Sequence, residues 1–325
     1  MQRSDLSLKW LEVFQMTAKL GSVQAVAKET GLSISTVSHH LRNLEDQMDV
    51  ALLDHSRRPM SLTPAGAVFL KRVDEALKLI GKARAEVTLG TMSEARYLRL
   101  GLIEDFDSDI GPELAVFLAA GMPKCDFAHF TRFSRDILDM LLRKKLDIGI
   151  ASRAGDIAGD LREFPMLRDP FLLALPANSA LDPQEVLAGR SPLPFLRFDR
   201  DQQINSLIEA QLRRLKITLP NRFEIESNQT MMAMIAAGSG WAVTTPTCYF
   251  RARRFHGAVR LHPFPTKGFA RYISLFALSD CAEEVVQTIN ATLRNLIDTR
   301  LVSPAHEAMP WLKESFYLLS PDAPK

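Results

Sequence analysis

Apolar residues recur every three or four positions in two short segments on either side of Gly31. In the second segment Val37, Leu41 and Leu44 lie at i, i+4 and i+7, which predicts a helix with one buried face. Gly31 would allow a tight turn between the segments, because glycine takes a positive φ without steric cost. Ser33 is then placed to cap the second helix. The pattern therefore predicts two helices joined by a short turn.

The opposite face of the second predicted helix is polar and carries Ser35, Ser38, His39 and Arg42. Such a face would lie in the major groove of DNA if the two helices formed a helix-turn-helix unit. The alternative is an ordinary helical hairpin whose polar residues face water. The helix pair alone does not decide between these two interpretations.

The segment that follows favours the DNA-binding interpretation. Leu52-Leu53 and Ser61-Leu62 flank a basic loop that carries His55, Arg57 and Arg58. Two short apolar segments around such a loop predict a two-stranded wing. A wing beside a polar helix face would bring further basic side chains to DNA phosphates.

Thr63-Pro64 predicts the start of a long helix, with the hydroxyl as N-cap and proline at the first helical position. No helix breaker occurs before about Gly81, and the helix could continue to Thr91. Apolar residues at heptad spacing form a seam along this helix. A seam this long after a wing favours packing against a second copy of the chain. The alternative is a helix packed on its own domain. The seam has spacings of three and four, is interrupted only at Arg84, and consists of Leu70, Val73, Leu77, Ile80 and Val87.

From Tyr97 the pattern changes to short apolar strands that alternate with helices. Alternation at this spacing predicts an α/β fold with a parallel sheet covered by helices on both faces. The strand at 271–278 would return to the first subdomain. The predicted strands are 98–102, 126–131, 146–151, 167–175, 195–198, 223–226, 241–245 and 271–278. The predicted helices are 110–120, 135–145 with Ser134 as its cap, 206–215, 229–237 and 282–299.

Composition and charge limit the class of protein without identifying it. The 325 residues suffice for two or three domains, and 46% hydrophobic with 24% charged residues is typical of soluble globular proteins. No apolar run predicts a transmembrane helix and no signal-peptide pattern is present, so we expect a cytoplasmic protein without a membrane partner. The net charge of +2 gives little electrostatic support to DNA binding. Three scattered cysteines indicate buried thiols rather than disulfides or a zinc site.

The segment SVQAVAKETGLSISTVSHHLRNLEDQMDVALLDHSRRPMSLTPAG, residues 22–66, resembles the N-terminal domain of LysR-type transcriptional regulators. The match runs without a gap through the helix pair, the wing and the start of the long helix, and continues more weakly to about residue 300. The resemblance implies a regulator that binds promoter DNA as a dimer or tetramer. It also implies a C-terminal domain whose small-molecule effector modulates that binding, with RNA polymerase as a further candidate partner.

The pattern and the resemblance together predict a multidomain protein. An all-α winged helix-turn-helix with a long linker helix would precede an α/β effector domain of two Rossmann-like subdomains, resembling type II periplasmic binding proteins. The predicted domains are the winged helix-turn-helix at 1–63, the linker and dimerisation helix at 64–92, the effector domain at 93–300 and a C-terminal extension at 301–325. Subdomain I would comprise about 97–160 and 268–300, and subdomain II about 161–267.

The resemblance assigns the DNA contacts to the second helix and the wing. This sequence departs from the family pattern at Ile34, where glutamine is usual, and at His39 and His55, where arginine is common. Ile34 cannot form a bidentate hydrogen-bonded pair with adenine and could instead contact a thymine methyl group. Aspartate at position 49 replaces a turn glycine. The predicted DNA-binding residues are Ser33, Ile34, Ser35, Ser38, His39, Arg42, His55, Arg57 and Arg58.

Candidate effector-binding residues follow from the topology of α/β sheets. Ligands of open α/β sheets bind beyond the carboxyl ends of strands, against helix N-termini. This rule selects 104–106, Ser134 and 228–230, and the resemblance implies an effector cleft at the same points. Residues after strand 195–198 could line the opposite wall. The predicted effector-binding residues are Glu104, Asp105, Phe106, Ser134, Phe198, Asp199, Asn228 and Gln229.

Acidic residues at this site bear on the chemistry of the effector. Asp107 or Ser108 could cap the next helix, with Asp109 beside the positive end of its dipole. Glu104 and Asp105 lie where the strand ends and favour an effector with an amine or other cationic group, or one with many hydroxyl groups. The alternative function is a ligand-independent DNA-binding or architectural repressor whose cleft is filled with side chains.

No catalytic constellation is visible in the sequence. It contains no G-x-S-x-G, H-E-x-x-H, G-x-G-x-x-G or P-loop motif, so we expect neither an enzyme nor a cofactor. None of the seven histidines is spaced with a cysteine or carboxylate as in a metal site. The sequence therefore predicts a LysR-type transcriptional regulator.

Overall fold

The computed structural model describes residues 6–91, 97–153 and 161–320. Residue contacts divide the chain into two compact units, Met1–Val87 and Thr88–Lys325, which we call the N-terminal and C-terminal units. Within the described ranges, every helix is too short or too polar to span a membrane.

The N-terminal unit combines helices with a two-stranded antiparallel wing. Its elements are α1 (Leu8–Leu20), α2 (Val23–Thr30), α3 (Ile34–Met48), β1 (Leu53–Asp54), β2 (Ser61–Leu62) and α4 (Pro64–Thr91), whose last turn lies beyond the boundary at Val87. The predicted helix-turn-helix and wing are thereby confirmed. Its core is formed by the apolar faces of these elements and includes Val13, Phe14, Val26, Val37, Leu41, Leu44, Leu52 and Leu53.

Local signals set the ends of α2 and α3. Gly31 ends α2 with a φ of 67°, as the predicted turn requires. Ser33 Oγ accepts a hydrogen bond from Thr36 N at 3.0 Å and caps α3. Asp49, in place of a turn glycine, ends α3 with a φ of 51°. Aspartate is one of the few residues other than glycine that adopt this left-handed conformation readily.

The start of α4 is fixed against the wing. Thr63 Oγ1 accepts a hydrogen bond from Gly66 N at 2.9 Å, which confirms the predicted cap. A Cβ atom at Gly66 would lie 1.9 Å from Leu52 O, so only glycine allows this close approach of the helix to the wing.

The first part of the α4 seam packs on its own unit. Val73 is buried in the N-terminal core, and Leu70 and Leu77 pack against that core half-buried. This part of the seam follows the alternative interpretation, a helix packed on its own domain. The side chains of Arg84 and Val87 lie outside the described residues.

The C-terminal unit alternates strands and helices along the chain. Its first elements are β3 (Tyr97–Leu102), α5 (Ile110–Gly121), β4 (Asp126–Thr131), α6 (Ser134–Leu142), β5 (Ile148–Ser152), β6 (Leu161–Pro170), β7 (Leu172–Pro176) and α7 (Pro183–Leu187). They continue with β8 (Leu196–Phe198), α8 (Gln203–Arg214), β9 (Phe223–Ile225), α9 (Asn228–Ala236), β10 (Ala242–Thr244), α10 (Pro246–Arg251) and β11 (Val259–Pro263). The last are β12 (Ala270–Leu278), α11 (Glu283–Ile297), α12 (Ser303–Ala308) and β13 (Tyr317–Leu318).

The large sheet of this unit has the strand order β13-β6-β12-β5-β3-β4. Strand β3 is parallel to β4 and β5, as the strand–helix alternation predicts. Strand β12 is antiparallel to β5 and β6, so the sheet is mixed and the prediction of a parallel sheet was wrong in this part. The chain returns along β12 from the other half of the unit, and the local spacing of apolar residues does not report strand direction. That other half contains an antiparallel sheet, β10-β7-β11, and the parallel pair β8-β9.

The predicted strand 167–175 is two strands that belong to different sheets. Strand β6 pairs with β12, whereas β7 pairs with β10 and β11. Phe171 lies between them and stacks on Phe269 with ring centroids 4.3 Å apart. The apolar run is continuous because both strands are buried, so the sequence pattern did not show where the chain crosses from one sheet to the other.

The extension after α11 folds back onto the large sheet. Strand β13 pairs antiparallel with β6, with Tyr317 opposite Arg168. Leu312 and Phe316 are fully buried, and His306 Nε2 lies 2.7 Å from Phe316 O. The extension is therefore part of the fold of this unit and covers the edge of β6.

Candidate DNA-binding surface and effector cleft

The exposed face of α3 carries the residues that the sequence assigns to DNA reading. Ile34, Ser38 and Arg42 follow one another at intervals of four, so they lie along one stripe of the helix. Ile34 is 53% exposed. Ser35 and His39 are exposed beside the stripe. The buried Val37, Leu41 and Leu44 hold this helix to the unit and turn the polar face outward.

Three of the predicted contact residues, Ser33, Ser35 and His39, already have partners in α3 or at its cap. Ser33 Oγ caps the helix and lies 2.8 Å from Ser35 Oγ and 2.7 Å from Thr36 Oγ1. His39 Nε2 lies 3.1 Å from Asn43 Nδ2, one turn along the helix. Ser33 therefore sets the start of the helix, and its hydroxyl is less available for a base.

Glu45, which sequence reasoning did not single out, holds the wing to α3. Its Oε1 accepts hydrogen bonds from Leu52 N at 2.8 Å and Leu53 N at 3.0 Å. Its Oε2 lies 2.8 Å from His55 Nε2. No local sequence signal identifies this role, because the wing amides become neighbours of Glu45 only when the wing folds back on α3.

The wing arginines differ in their surroundings. Arg57 Nε lies 3.0 Å from Asp54 Oδ2, in a strongly exposed ion pair. Arg58 Nη1 donates to His55 O at 3.0 Å and to Arg57 O at 2.8 Å, so backbone carbonyls hold its charge outward. Arg58 makes no ion pair with a carboxylate of the described residues.

Helix α3, the recognition helix of the predicted helix-turn-helix unit, and the wing meet around one surface depression of about 380 Å³. Arg42 points to it without any hydrogen bond or ion pair to the described part of the chain. The depression thus combines two arginines and a histidine with one acid that is already engaged. Among the predicted DNA-binding residues, it brings together Ser38, Arg42, His55 and Arg58. Ser33, Ile34, Ser35, His39 and Arg57 lie outside its lining.

In the C-terminal unit a narrow cavity of about 40 Å³ opens beyond the end of β3. Four of the eight predicted effector-binding residues line it, namely Glu104, Asp105, Ser134 and Phe198. The other residues around it are Ile103, Arg132, Phe133, Ser152, Gln202, Gln203, Ile204, Cys248 and Arg271.

The remaining predicted effector residues lie elsewhere. Phe106 is buried in the core. Asn228 Nδ2 donates to Cys248 O at 2.7 Å, and Gln229 Nε2 donates to Arg251 O at 3.4 Å, so both tie α9 to α10. Asp199 lines an adjoining open depression with Arg135, Asp136, Asp201 and Glu226. The topological rule selected residues at the end of β3, where the cavity opens, but it did not predict the direction of each side chain.

Ser134 lines the cavity without capping α6. Phe133 occupies the N-cap position, and Ser134 is the first residue of the helix. Ser134 Oγ accepts a hydrogen bond from Ser152 N at 2.9 Å. The predicted cap was wrong because the end of β5, which the local sequence does not include, supplies a donor for this hydroxyl.

A buried network of charges closes the inner wall of the cavity. Arg271 Nη2 lies 3.1 Å from Asp105 Oδ1, and Arg271 Nε lies 2.8 Å from Asp169 Oδ2. Thr247 Oγ1 donates to Asp169 at 2.7 Å, and Cys248 Sγ donates to Asp105 at 3.0 Å. The network joins β6 and β12 to the start of α10.

The two buried carboxyls respond differently to this network. Burial raises the pKa of Asp169 despite the nearby Arg271. Burial also disfavours the charge on Asp105, but Arg271 and the Cys248 thiol outweigh it and lower the pKa of Asp105. Burial, followed by the charge of Asp105, raises the pKa of the Cys248 thiol well above its ordinary value, so this thiol is not activated as a nucleophile.

The acidic segment after β3 pairs with arginines of α10 and the turn after it. Arg251 Nε and Nη2 contact Asp107 at 2.9 and 2.7 Å, and Arg251 Nη1 lies 3.5 Å from Glu104. Arg253 Nη2 lies 3.0 Å from Asp109. Burial raises the pKa of Glu104. The predicted capping role of Asp107 was wrong, because Arg251, far away in sequence, binds both of its carboxylate oxygens.

Two buried polar atoms at the cavity lack hydrogen-bond partners within the described residues, Ser152 Oγ and Gln203 Oε1. Gln203 Nε2 donates to Arg153 O at 2.6 Å, which orients the amide. Ser152 lies at the carboxyl end of β5, where the topological rule applied to strand 146–151 would have found it. Because buried polar atoms are normally satisfied, these two atoms indicate a place for a polar ligand or water.

The site suits binding better than catalysis. The described residues contain no group of three or more metal-ligating side chains placed to hold an ion. The carboxylates are engaged by arginines and the thiol is protonated. Besides the engaged charges, the cavity offers a phenylalanine wall, a few uncharged hydrogen-bonding groups and Arg132, whose Nη1 donates to Thr131 O at 2.7 Å.

Comparisons with known proteins cover both units. The family model described as the LysR substrate binding domain matches residues 93–296, and the model of the bacterial regulatory helix-turn-helix protein, lysR family, matches residues 8–67. The uncharacterized HTH-type transcriptional regulator YfeR of Shigella flexneri is 27% identical over 244 residues, which cover 74% of this chain and 78% of that protein. The HTH-type transcriptional regulator CzcR of Bacillus subtilis (strain 168) is 22% identical over 301 residues, which cover 92% of this chain and 100% of that one.

Two solved structures share the fold at low sequence identity. Corynebacterium glutamicum OxyR in its oxidized form has a TM-score of 0.52 at 17% identity, covering 95% of this chain and 96% of that chain. Full-length BenM has a TM-score of 0.53 at 14% identity, covering 90% and 97%.

Proposed function

The chain belongs to the LysR family of transcriptional regulators, and from that premise we propose that it binds promoter DNA as a dimer or tetramer through α3 and the wing. A small-molecule effector in the cavity beyond β3 adjusts that binding. The single observation that carries the DNA-binding proposal is the depression where Arg42 and Arg58 meet without carboxylate partners in the described part of the chain. Family membership favours this regulatory role over a catalytic one.

In this proposal the basic residues position the DNA backbone and the face of α3 reads bases. Arg42, Arg57 and Arg58 contact phosphates, because exposed guanidinium groups bind phosphate oxygens strongly and without regard to sequence. The residues facing the major groove are Ile34, Ser35, Ser38 and His39, with Ser33 fixing the helix start and His55 beside the backbone.

The test compares Arg58→Ala with Arg143→Ala in the full-length protein. Arg143 is an exposed arginine of the C-terminal unit that pairs with Asp139. The DNA is a duplex selected by the wild-type protein from a random library. Arg58→Ala should weaken binding to selected and unselected duplexes alike, and should reduce the slope of log affinity against log salt by about one. An unchanged slope, or an equal loss in Arg143→Ala, would remove Arg58 from the interface.

Self-association is proposed from the apolar residues that α4 leaves exposed. Val68, Leu79 and Ile80 remain exposed, while the inner seam residues serve the N-terminal core. A second copy of the chain would cover them and place two recognition helices on a pseudo-palindromic site. Light scattering should show a dimer or larger assembly, and Leu79→Glu should shift it towards the monomer; an unaltered assembly would locate the interface elsewhere.

Location and a further partner follow from the same proposal. A regulator of promoters works where the genomic DNA is, which supports the cytoplasm. RNA polymerase is the further candidate partner of any promoter-bound regulator of transcription. A pull-down of polymerase subunits by the DNA-bound protein, and not by the protein alone, tests this contact.

For the effector we propose a small molecule with several hydroxyl groups. Glu104 and Asp105 are paired with Arg251 and Arg271, so neither offers a free charge to an amine. The unpartnered Ser152 Oγ and Gln203 Oε1 can instead bind hydroxyl groups. Titration calorimetry with polyols should show binding that Gln203→Leu weakens. Tight binding of a simple amine would contradict the proposal and restore the cationic effector.

The volume of the cavity supports a second candidate function. About 40 Å³ accommodates only about three waters, so a larger effector would require the two halves of the C-terminal unit to move apart. A ligand-independent repressor with a filled cleft is therefore the alternative. It predicts that no polyol, amine or carboxylate shifts the melting temperature, and that DNA binding by the full-length protein is insensitive to all of them.

A further inference from the structure

Ile34 is an apolar side chain at the leading end of the recognition helix. It is 53% exposed, whereas the apolar residues Val37 and Leu41 of the same helix are 0% and 2% exposed. Ile34 is absent from the core to which they belong. Its exposure is therefore not explained by packing within the described residues of its own unit.

Single exposed apolar residues are common on proteins, so exposure alone indicates nothing. The position of Ile34 distinguishes it from exposed residues such as Val50. Ile34 lies one turn before Ser38 and two turns before Arg42 on one stripe of α3, and Ser38 and Arg42 line the depression proposed for the DNA backbone. A recognition helix inserted on this face would carry Ile34 into the major groove.

An isoleucine side chain has no hydrogen-bonding group, so it cannot read the donors and acceptors of a base edge. The C5-methyl group of thymine is the apolar group that the major groove presents. The neighbouring hydroxyl of Ser33 is engaged at the helix cap with Thr36 N, and the hydroxyl of Ser35 lies 2.8 Å from that of Ser33. The chemistry at the start of α3 therefore fits a methyl group better than a polar base edge.

We propose that Ile34 is a specificity-determining residue that contacts a thymine C5-methyl group in each half-site of the bound DNA. The inference rests on the proposed DNA-binding function, and it specifies which base the first turn of α3 contacts.

The experiment removes the methyl group without changing base pairing. Duplexes are first selected from a random library by the full-length wild-type protein, and each thymine is then replaced singly by deoxyuridine. At one position per half-site, the replacement should weaken wild-type binding about fourfold, as loss of one buried methyl contact predicts. Ile34→Ala should bind the thymine and deoxyuridine duplexes equally at that position.

Two further variants make the result specific. Val50→Ala shortens another exposed apolar residue, beyond the far end of α3, and should keep the wild-type loss on deoxyuridine. Ile34→Gln should select a different base at the same position, with adenine preferred, because glutamine pairs with the adenine edge. Circular dichroism checks that each variant stays folded, as expected for an exposed residue.

Two outcomes would overturn the inference. Wild-type binding that is indifferent to deoxyuridine at every position would show that no thymine methyl is read. A deoxyuridine penalty that persists in Ile34→Ala would assign the methyl contact to another residue. Failure of the DNA-binding proposal is a distinct result, because the wild-type protein would then enrich no sequence in the first selection.

Discussion

The α3–wing surface and the cavity beyond β3 use arginines in opposite ways. On the surface, Arg42 has no hydrogen-bond or ion-pair partner among the described residues, and within them Arg58 contacts only backbone carbonyls, so their positive charge is available to an incoming phosphate. At the cavity, Arg271 is 6% exposed and is shared by Asp105 and Asp169. The same type of side chain is left free of carboxylates among the described residues in one region and holds two buried carboxylates together in the other.

This difference predicts how each region responds to ionic strength. An exposed arginine that binds DNA releases counterions, so its contribution depends strongly on salt. A buried arginine is screened little by salt, and its loss leaves buried carboxylates without compensation. DNA affinity should therefore change with ionic strength, whereas the geometry of the cavity should be insensitive to it. Four predictions test this contrast, from the largest expected effect to the smallest.

Arg271→Met should give the largest loss of stability. It would leave Asp105 and Asp169 buried without their common partner, at a cost of about 3–5 kcal/mol in the free energy of unfolding. Urea denaturation of the full chain measures this loss. The matched control is Arg300→Met, which removes the exposed ion pair with Glu113 and should cost about 0–1 kcal/mol. Equal losses in the two variants would refute the contrast between buried and exposed arginines.

Glu45→Ala should have the next largest effect, confined to the N-terminal unit. The carboxylate accepts from Leu52 N and Leu53 N, and hydrogen bonds to charged groups contribute roughly 2 kcal/mol. Hydrogen exchange of the two wing amides should accelerate, and unfolding of this unit should occur at lower urea. Glu45→Gln keeps an acceptor oxygen and should lose less; no acceleration in either variant would show that the wing is held by other contacts.

Arg42→Ala should leave the free energy of unfolding within about 0.5 kcal/mol of wild type, because an exposed arginine without partners contributes little to folding. Its effect should appear in DNA binding, as a salt slope smaller by about one. The matched variant is Arg197→Ala, since Arg197 contacts Glu209 and the carbonyls of Pro220 and Leu219. Arg197→Ala should destabilise the protein without changing the salt slope. The reverse outcome would exchange the two roles.

The smallest effect is expected at the exposed pair of Arg200 and Glu224. Hydrogen bonds from the Arg200 side chain and then its backbone lower the pKa of Glu224 from 4.5 to about 2. Since the folded pKa lies below the unfolded value, the pair contributes to stability above pH 4.5, and that contribution is lost as the pH falls towards 2. NMR titration should give a midpoint near 2 that returns towards 4.5 in Arg200→Ala. An unshifted midpoint in the wild type would show that the pair does not persist in water.

The two regions also differ in how much of them the sequence predicts. The sequence correctly predicted the turn at Gly31, the caps at Ser33 and Thr63, and the wing. Each of these features depends on residues only a few positions apart. The cavity beyond β3 was predicted only in part, and its role as an effector site stays a prediction. Its location follows from the end of β3, but Asn228 and Gln229 bind α10 instead of facing it.

The wrong predictions share one cause, which is that the residues involved have partners far away along the chain. Asp105 and Arg271 are separated by 166 residues, and Ser134 meets Ser152 only because β5 ends beside α6. An acidic run such as Glu104 to Asp109 looks like a capping segment when its arginine partners are unknown. Residues 167–175 were predicted as one strand because β6 and β7 are both buried here, so the apolar run does not show where the chain passes from one sheet to the other.

The sequence by itself therefore determined the helix-turn-helix, the wing, the α/β character of the C-terminal unit and the polar face of α3. These depend on the spacing of apolar residues and on caps and turns, which are local properties of the chain. Only the tertiary structure decided that the sheet is mixed, that the last strand covers β6, and that the carboxylates of the cavity are paired. Those outcomes depend on which distant segments meet, and burial then makes each polar group find a partner.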